Sequence, residues 1–282
     1  MDNSHYITAT NKKVTADNGI TYVYREVGVK TGTPIVGLNH LSANLDNWDP
    51  TIIDGLAKDH WVITFDYRGV GSSTGKASNS IQAMAEDTIN FIHALKLTKV
   101  DLLGFSMGGM IAQEVLLRDK DLVNRAILAG TGPKGGEGIE NVTKLSDASL
   151  LRSLVTFKDI KTYLFFTRTE NGKKSAADFI VRLYLRKDDR DKTINWFAYR
   201  TQLKAINKWG KENPADLSGI KTPILVVNGD NDIMVPTTPN TYQLKDRLSN
   251  SKLIIYTDAG HGAIAQYHES FVKSANEFYG EK

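Results

Sequence analysis

Along the first half of the chain, short apolar runs alternate with longer stretches in which apolar positions recur every three or four residues. The runs "PIVGLNHL" (34–41), "WVITFD" (61–66), "KVDLLGF" (99–105) and "RAILAG" (125–130) predict strands. Between them, "PTIIDGLAKD" (50–59), "SIQAMAEDTINFIHALK" (80–96) and "GGMIAQEVLLR" (108–118) carry the helical period. Ahead of these, "KKVTA" and "ITYVYREVG" flank Asp17-Asn18-Gly19. That tripeptide signals a hairpin, because Asn-Gly reaches positive φ at little cost. Strands alternating with helices predict an α/β fold whose mostly parallel sheet is covered on both faces.

The alternation breaks at "TGPKGGEG" (131–138) and resumes after "PADLSGIKT". There "PILVVNGD" (223–230) and "KLIIYTD" (252–258) predict strands, with helices near 239–249 and over "ESFVKSANEFY". Residues 134–217 are charged, aromatic and mainly helical in pattern. They read as an insertion between two strands of one sheet, leaving 1–133 and 218–282 as the core. Its aromatics include Phe157, Phe165, Phe166, Phe179, Trp196, Phe197 and Trp209. Most are expected to pack helices together and a few to line a pocket.

Composition narrows the class. At 282 residues and 41% apolar content, the chain is large enough for one α/β domain with an insertion. No apolar run approaches the ~18 residues of a membrane span. The opening "MDNSHYITATNKK" lacks a basic start followed by an apolar stretch, so a cytoplasmic location is expected. With no cysteine, thiol catalysis and thiolate metal sites are excluded. Net charge is +3, but it is unevenly placed: residues 134–217 hold 17 Lys and Arg against 11 Asp and Glu, while the remainder holds 18 against 21. This basic excess suits a solvated face or the steering of anionic substrates. It shows none of the aromatic interleaving of a nucleic-acid surface. Gly69, Gly71 and Gly75 miss the dinucleotide spacing, and Gly136 stands where a phosphate loop needs lysine. No metal-ligand spacing appears, and no cofactor is expected.

The candidate chemistry centres on Gly104-Phe105-Ser106-Met107-Gly108, which fits G-x-S-x-G between a predicted strand and helix. A tight strand-to-helix turn lifts a hydroxyl above the sheet, and small neighbours relieve the crowding it creates. The helix that follows aims N–H groups at the site. A serine hydroxyl needs a base, and the base needs an orienting acid. Of six histidines, His261 in "DAGHGA" follows a predicted strand directly, where α/β sheets build their sites. His268 reads as a surface or helix-packing residue, His60 and His93 as structural, and His5 as part of a loose terminus. Asp230 and Asp232, in "VVNGDNDIMVP", are both candidates for the acid.

The segments "DNWDP", "FDYRGVGSS", "GFSMGG", "NGDNDIMVP" and "AGHG", in this order, resemble the α/β-hydrolase family over essentially the whole chain. The resemblance implies an α/β-hydrolase fold with a helical cap. It places the acid of a G-x-x-D-x-x-V-P pattern on Asp232 and leaves Asp230 to shape the turn. It implies an oxyanion hole from the Met107 N–H and a second N–H at Leu41. The loop that usually begins His-Gly-x reads Asn39-His40-Leu41 here, so His40 either packs or reaches the pocket. The "DYRGVG" turn after a middle strand is structural in similar proteins.

The implied activity is cleavage of a small, apolar carboxylic ester by Ser106, His261 and Asp232, with the lid's Lys and Arg facing outward. Perhydrolase, cofactor-free haloperoxidase, C–C hydrolase and aminopeptidase-like chemistries use the same residues. A ligand receptor on this fold is the non-enzymatic alternative. Dehalogenase and epoxide hydrolase would need Asp at 106. A small-molecule substrate is expected, without nucleic acid, and a homo-oligomer is compatible with everything in the sequence.

Overall fold

The computed structural model describes residues 5–281. Of the N-terminal segment read for a secretory signal, residues 1–4 lie outside the described residues. Eight strands form one sheet in the order β1-β2-β4-β3-β5-β6-β7-β8. They are β1 (Lys12–Thr15), β2 (Thr21–Val27), β3 (Ile35–Leu38), β4 (Val62–Phe65), β5 (Val100–Phe105), β6 (Val123–Ala129), β7 (Ile224–Gly229) and β8 (Ser251–Tyr256). The β1–β2 and β2–β4 pairs are antiparallel. All other pairs are parallel. Every residue of β3, β4, β5 and β7 is buried, as a sheet covered on both faces requires.

The predicted hairpin forms, but Asn18 does not share the positive φ. Gly19 alone adopts it, at 75°, and the Asn18 side chain instead accepts from the Ile20 N–H. The first strand is also preceded by packed chain. Tyr6 is buried and its hydroxyl lies 2.8 Å from the Thr64 hydroxyl, so among the described residues the expected loose terminus is limited to the exposed His5, whose ring sits 3.5 Å from the Asp54 carboxylate.

Helices α1 (Pro50–Leu56), α2 (Ile81–Ala94), α3 (Met107–Arg118), α8 (Thr237–Arg247) and α10 (His268–Gly280) flank the sheet. Their starts follow local chemistry. Ser80 accepts from the Ala83 N–H to cap α2. Asp49 caps α1 ahead of Pro50, a residue whose missing N–H costs nothing at that position. Between β6 and β7 lie α4 (Val142–Thr156), α5 (Lys161–Leu164), α6 (Glu170–Leu183) and α7 (Trp196–Lys211), and a short α9 (Ala263–Gln266) follows β8.

Buried charge ties the β6–β7 segment to the sheet. Arg182 of α6 pairs with the capping Asp49 at 2.7 Å. Asp46 pairs with the buried Arg25 at 2.7 Å and accepts from the Asp191 N–H. Beside it, the Asp66 and Asp191 carboxyls crowd the space next to Gly71. Burial first, and the facing Asp191 second, hold the Asp66 carboxyl well above the usual range. A carboxyl whose pKa is raised on folding takes up a proton. Its stabilising form is therefore complete below the unfolded value of about 3.9 and is lost as pH rises through the folded value. Asp66→Asn would donate an N–H to Asp191 without needing that proton. The variant should match the parent at acid pH and exceed it by about 1 kcal/mol, or ~2 °C in Tm, near neutrality. Thermal unfolding from pH 4 to 8 checks this, and a parallel pH dependence in both proteins would refute it.

Candidate active site

Strand β5 ends at Phe105, and the next residue turns into α3. Ser106 adopts φ 58° and ψ −118°, a region that costs a non-glycine residue about 1–3 kcal/mol. The turn is held by the Ser106 N–H donating to the Ala129 carbonyl on β6. The glycines explain how α3 comes so near. A Cβ at Gly108 would sit 1.9 Å from the Leu38 carbonyl oxygen, and one at Gly104 2.6 Å from the Gly108 oxygen. Helix α3 therefore starts against the backbone at the end of β3, beside the Asn39–Leu41 loop.

The structure brings three of the expected residues into one chain of contacts. The His261 Nε2 lies 2.8 Å from the Ser106 Oγ, and its Nδ1 lies 2.8 Å from the Asp232 Oδ2. The other Asp232 oxygen accepts from the Met234 and Val235 N–H groups. Asp232 and His261 are buried, and Ser106 is 7% exposed. Asp230 is exposed, and its carboxylate accepts from the Ala259 N–H. It thus braces the loop that carries His261 without touching the imidazole.

The Met107 N–H is the first of α3, and Leu41 borders the same cavity as Ser106. Neither residue's N–H meets a protein acceptor among the described residues. Asn39 shapes this loop: its Oδ1 accepts from the His40 N–H and its Nδ2 donates to the Asn44 carbonyl. These bonds end β3 at Leu38, short of the predicted strand end at 41.

His40 does both of the things expected of it. Its ring packs edge-on against Phe105 and Phe165, and it borders the cavity above Ser106. Its Nδ1 donates to the Leu41 carbonyl at 2.8 Å, and burial first, then the Lys161 charge, push its pKa down to about 3. His40 is therefore neutral at ordinary pH. His93 is exposed on α2, His60 stacks edge-on to Tyr279, and His268 opens α10, all away from Ser106.

The β6–β7 segment meets the site at Phe165. The Phe165 carbonyl accepts from the Gly262 N–H, and its ring lies 5.4 Å from the His261 ring. Phe166, Phe179 and Trp209 are buried, whereas Phe157, Trp196 and Phe197 are exposed, with Trp196 resting on Tyr199. The cavity above Ser106 is about 50 Å³, partly open to solvent, and also takes in Leu41, Met234, Ser146, Tyr199 and Lys161. Lys161 departs from expectation. It opens α5 and lines the cavity instead of staying on the outer surface, a placement no motif encodes. Among the described residues no cluster of three or more His, Asp or Glu is set to hold a metal ion.

Residues 33–266 match the family model for the α/β-hydrolase fold. The chain belongs to the α/β-hydrolase family. A solved α/β-hydrolase fold protein from Chitinophaga pinensis superposes on this hydrolase with a TM-score of 0.94 at 33% identity, covering 99% of this chain and 100% of the other. A Rhizobium rhizogenes protein named for carbamate hydrolysis is 28% identical over 79% of this chain and 84% of its own. An Acinetobacter baylyi (E)-2-((N-methylformamido)methylene)succinate hydrolase is 29% identical over 89% and 91%. This α/β-hydrolase is accordingly an enzyme that hydrolyses a substrate. No helix among its described residues is long and apolar enough to cross a membrane.

Proposed function

We propose that the chain is a serine hydrolase that cleaves a small carboxylic ester through an acyl-enzyme. The observation that carries this reading is the unbroken Ser106–His261–Asp232 contact chain, with 2.8 Å at each link. Ser106 Oγ attacks the ester carbonyl while His261 Nε2 takes its proton. The Asp232 carboxylate accepts from the Nδ1–H, which holds the lone pair of Nε2 toward the serine and stabilises the imidazolium. The oxyanion lies on the Met107 and Leu41 N–H groups. His261 then protonates the departing alcohol. Water, deprotonated by the same imidazole, attacks the acyl-enzyme and releases the acid with Ser106 restored.

In this reading residues 134–217 are a lid on the core formed by 1–133 and 218–282. The Phe165 ring over His261 supports that role, because fixed N–H dipoles stabilise an oxyanion better when bulk water is excluded. Relatives named for a carbamate and for a substituted succinate share hydrolysis and differ in substrate, so size has to be taken from this cavity. A space of about 50 Å³ favours a short acyl chain. A series of methyl esters from acetate to octanoate should show kcat/KM falling beyond about four acyl carbons, by some 1–3 kcal/mol per misfitting group. A rising series would point to a lid that opens onto a long groove and sink the small-substrate reading. A serine-directed phosphonate should label Ser106 with one equivalent.

A further inference from the structure

Three polar side chains at the cavity have no part in the ester chemistry. Lys161, at the start of α5, has a side chain only 16% exposed. Its nearest carboxylate, Asp159, stands two residues away with both oxygens at 3.4–3.5 Å, the outer edge of a hydrogen bond. Ser146 comes from α4 and Tyr199 from α7, and both line the same space. Their hydroxyls are buried and adjoin each other, yet neither makes a hydrogen bond in good geometry. Ser146 is 1% exposed. A lysine, a serine and a tyrosine from three separate segments thus line one small cavity, and none of the residues that line it is acidic.

An apolar acyl tail would leave these groups facing hydrocarbon. Each unsatisfied hydroxyl costs about 1–3 kcal/mol, and a poorly paired ammonium costs more. Water reaching these groups would satisfy them, but a short hydrophobic tail would displace it without replacing its bonds. A carboxylate is acceptor-only, with about four lone-pair positions, and answers one cation and two hydroxyl donors together. The space is small, about 50 Å³, which suits a reacting carbonyl and a second acid group separated by a short spacer. His40, the remaining titratable group on this wall besides His261, is neutral and adds no competing charge.

We propose that the substrate is an anionic ester, the half-ester of a short dicarboxylic acid, whose free carboxylate is held by Lys161 Nζ with the Ser146 and Tyr199 hydroxyls. This rests on the ester-hydrolase reading above and makes Lys161 the residue that determines specificity.

The test compares monomethyl succinate with methyl 4-oxopentanoate, a neutral ester of nearly the same shape, by pH-stat at low and high ionic strength. Wild type should favour the anionic ester about 10- to 100-fold in kcat/KM, mainly through KM. Salt should reduce that preference only in part, because a half-buried pair is incompletely screened. Lys161→Met should bring the ratio near one, and Lys161→Arg should retain part of it. If Lys161→Met does not fold, Tyr199→Phe and Ser146→Ala should each lower the same ratio severalfold. A structural role for Lys161 would move both esters together and leave the ratio alone. Equal turnover of both esters by wild type, or an unchanged ratio in Lys161→Met, overturns the inference. So does failure to turn over either ester when phosphonate still labels Ser106. Loss of labelling as well removes the ester-hydrolase reading itself.

Discussion

Ser106→Ala should lose ester turnover and phosphonate labelling together, with kcat reduced by roughly 10⁴ to 10⁶. The loss is expected to be this large because His261 and Asp232 have no other nucleophile to serve. The His261 Nε2 contacts the Ser106 Oγ at 2.8 Å, and removing the oxygen leaves an imidazole with nothing to deprotonate. Residual rate would come from the Met107 and Leu41 dipoles alone. Purified variant and parent, assayed side by side on methyl acetate with matched circular dichroism spectra, decide it. Hydrolysis by the alanine variant within tenfold of the parent would mean that another group carries the reaction.

Asp232→Asn should cost about 10⁴ in kcat with little change in folding. The direction follows from the hydrogen bonds at 232. One side-chain oxygen accepts from both the Met234 and Val235 N–H groups, and an amide oxygen would keep that place. The amide nitrogen must then occupy the position that now lies 2.8 Å from the His261 Nδ1. A donor there forces the imidazole proton onto Nε2, and Nε2 can no longer accept from Ser106. Asp230→Asn has no such consequence. Its oxygen accepts from the Ala259 N–H, a role an amide oxygen also fills, so a loss of less than about tenfold is expected. If the two variants exchanged these outcomes, the orienting acid would be Asp230.

The sheet, the serine turn and the loops bearing Asp232 and His261 were legible because each rests on local chemistry. Gly104 and Gly108 are required by backbone approach, and the two polar loops follow apolar strands directly. The strand order was not legible, since the antiparallel pairing of β2 with β4 is a choice among tertiary partners. Nor was the inner face of the β6–β7 segment. Lys161 and Phe165 lie four residues apart and so share a helix face, but nothing in the periodicity of a one-turn helix says that this face meets Ser106. The exposed Phe157 shows the converse: at the end of α4 it follows helical spacing and packs against nothing in the core. Asn18 was misjudged for a smaller reason, because its side chain found the Ile20 N–H and made a left-handed backbone unnecessary.

The backbone of Ser106 has a consequence for how such a sequence persists. At φ 58° the residue holds a conformation that glycine would occupy with less strain, so the fold alone would favour replacement. Mutational drift toward stability therefore pushes against this position, while any lineage that yields there gains robustness and loses its reaction. A side chain retained against that gradient is kept by what the enzyme does for its host, and the same tension makes position 106 a place where thermostability and activity cannot be improved by one substitution.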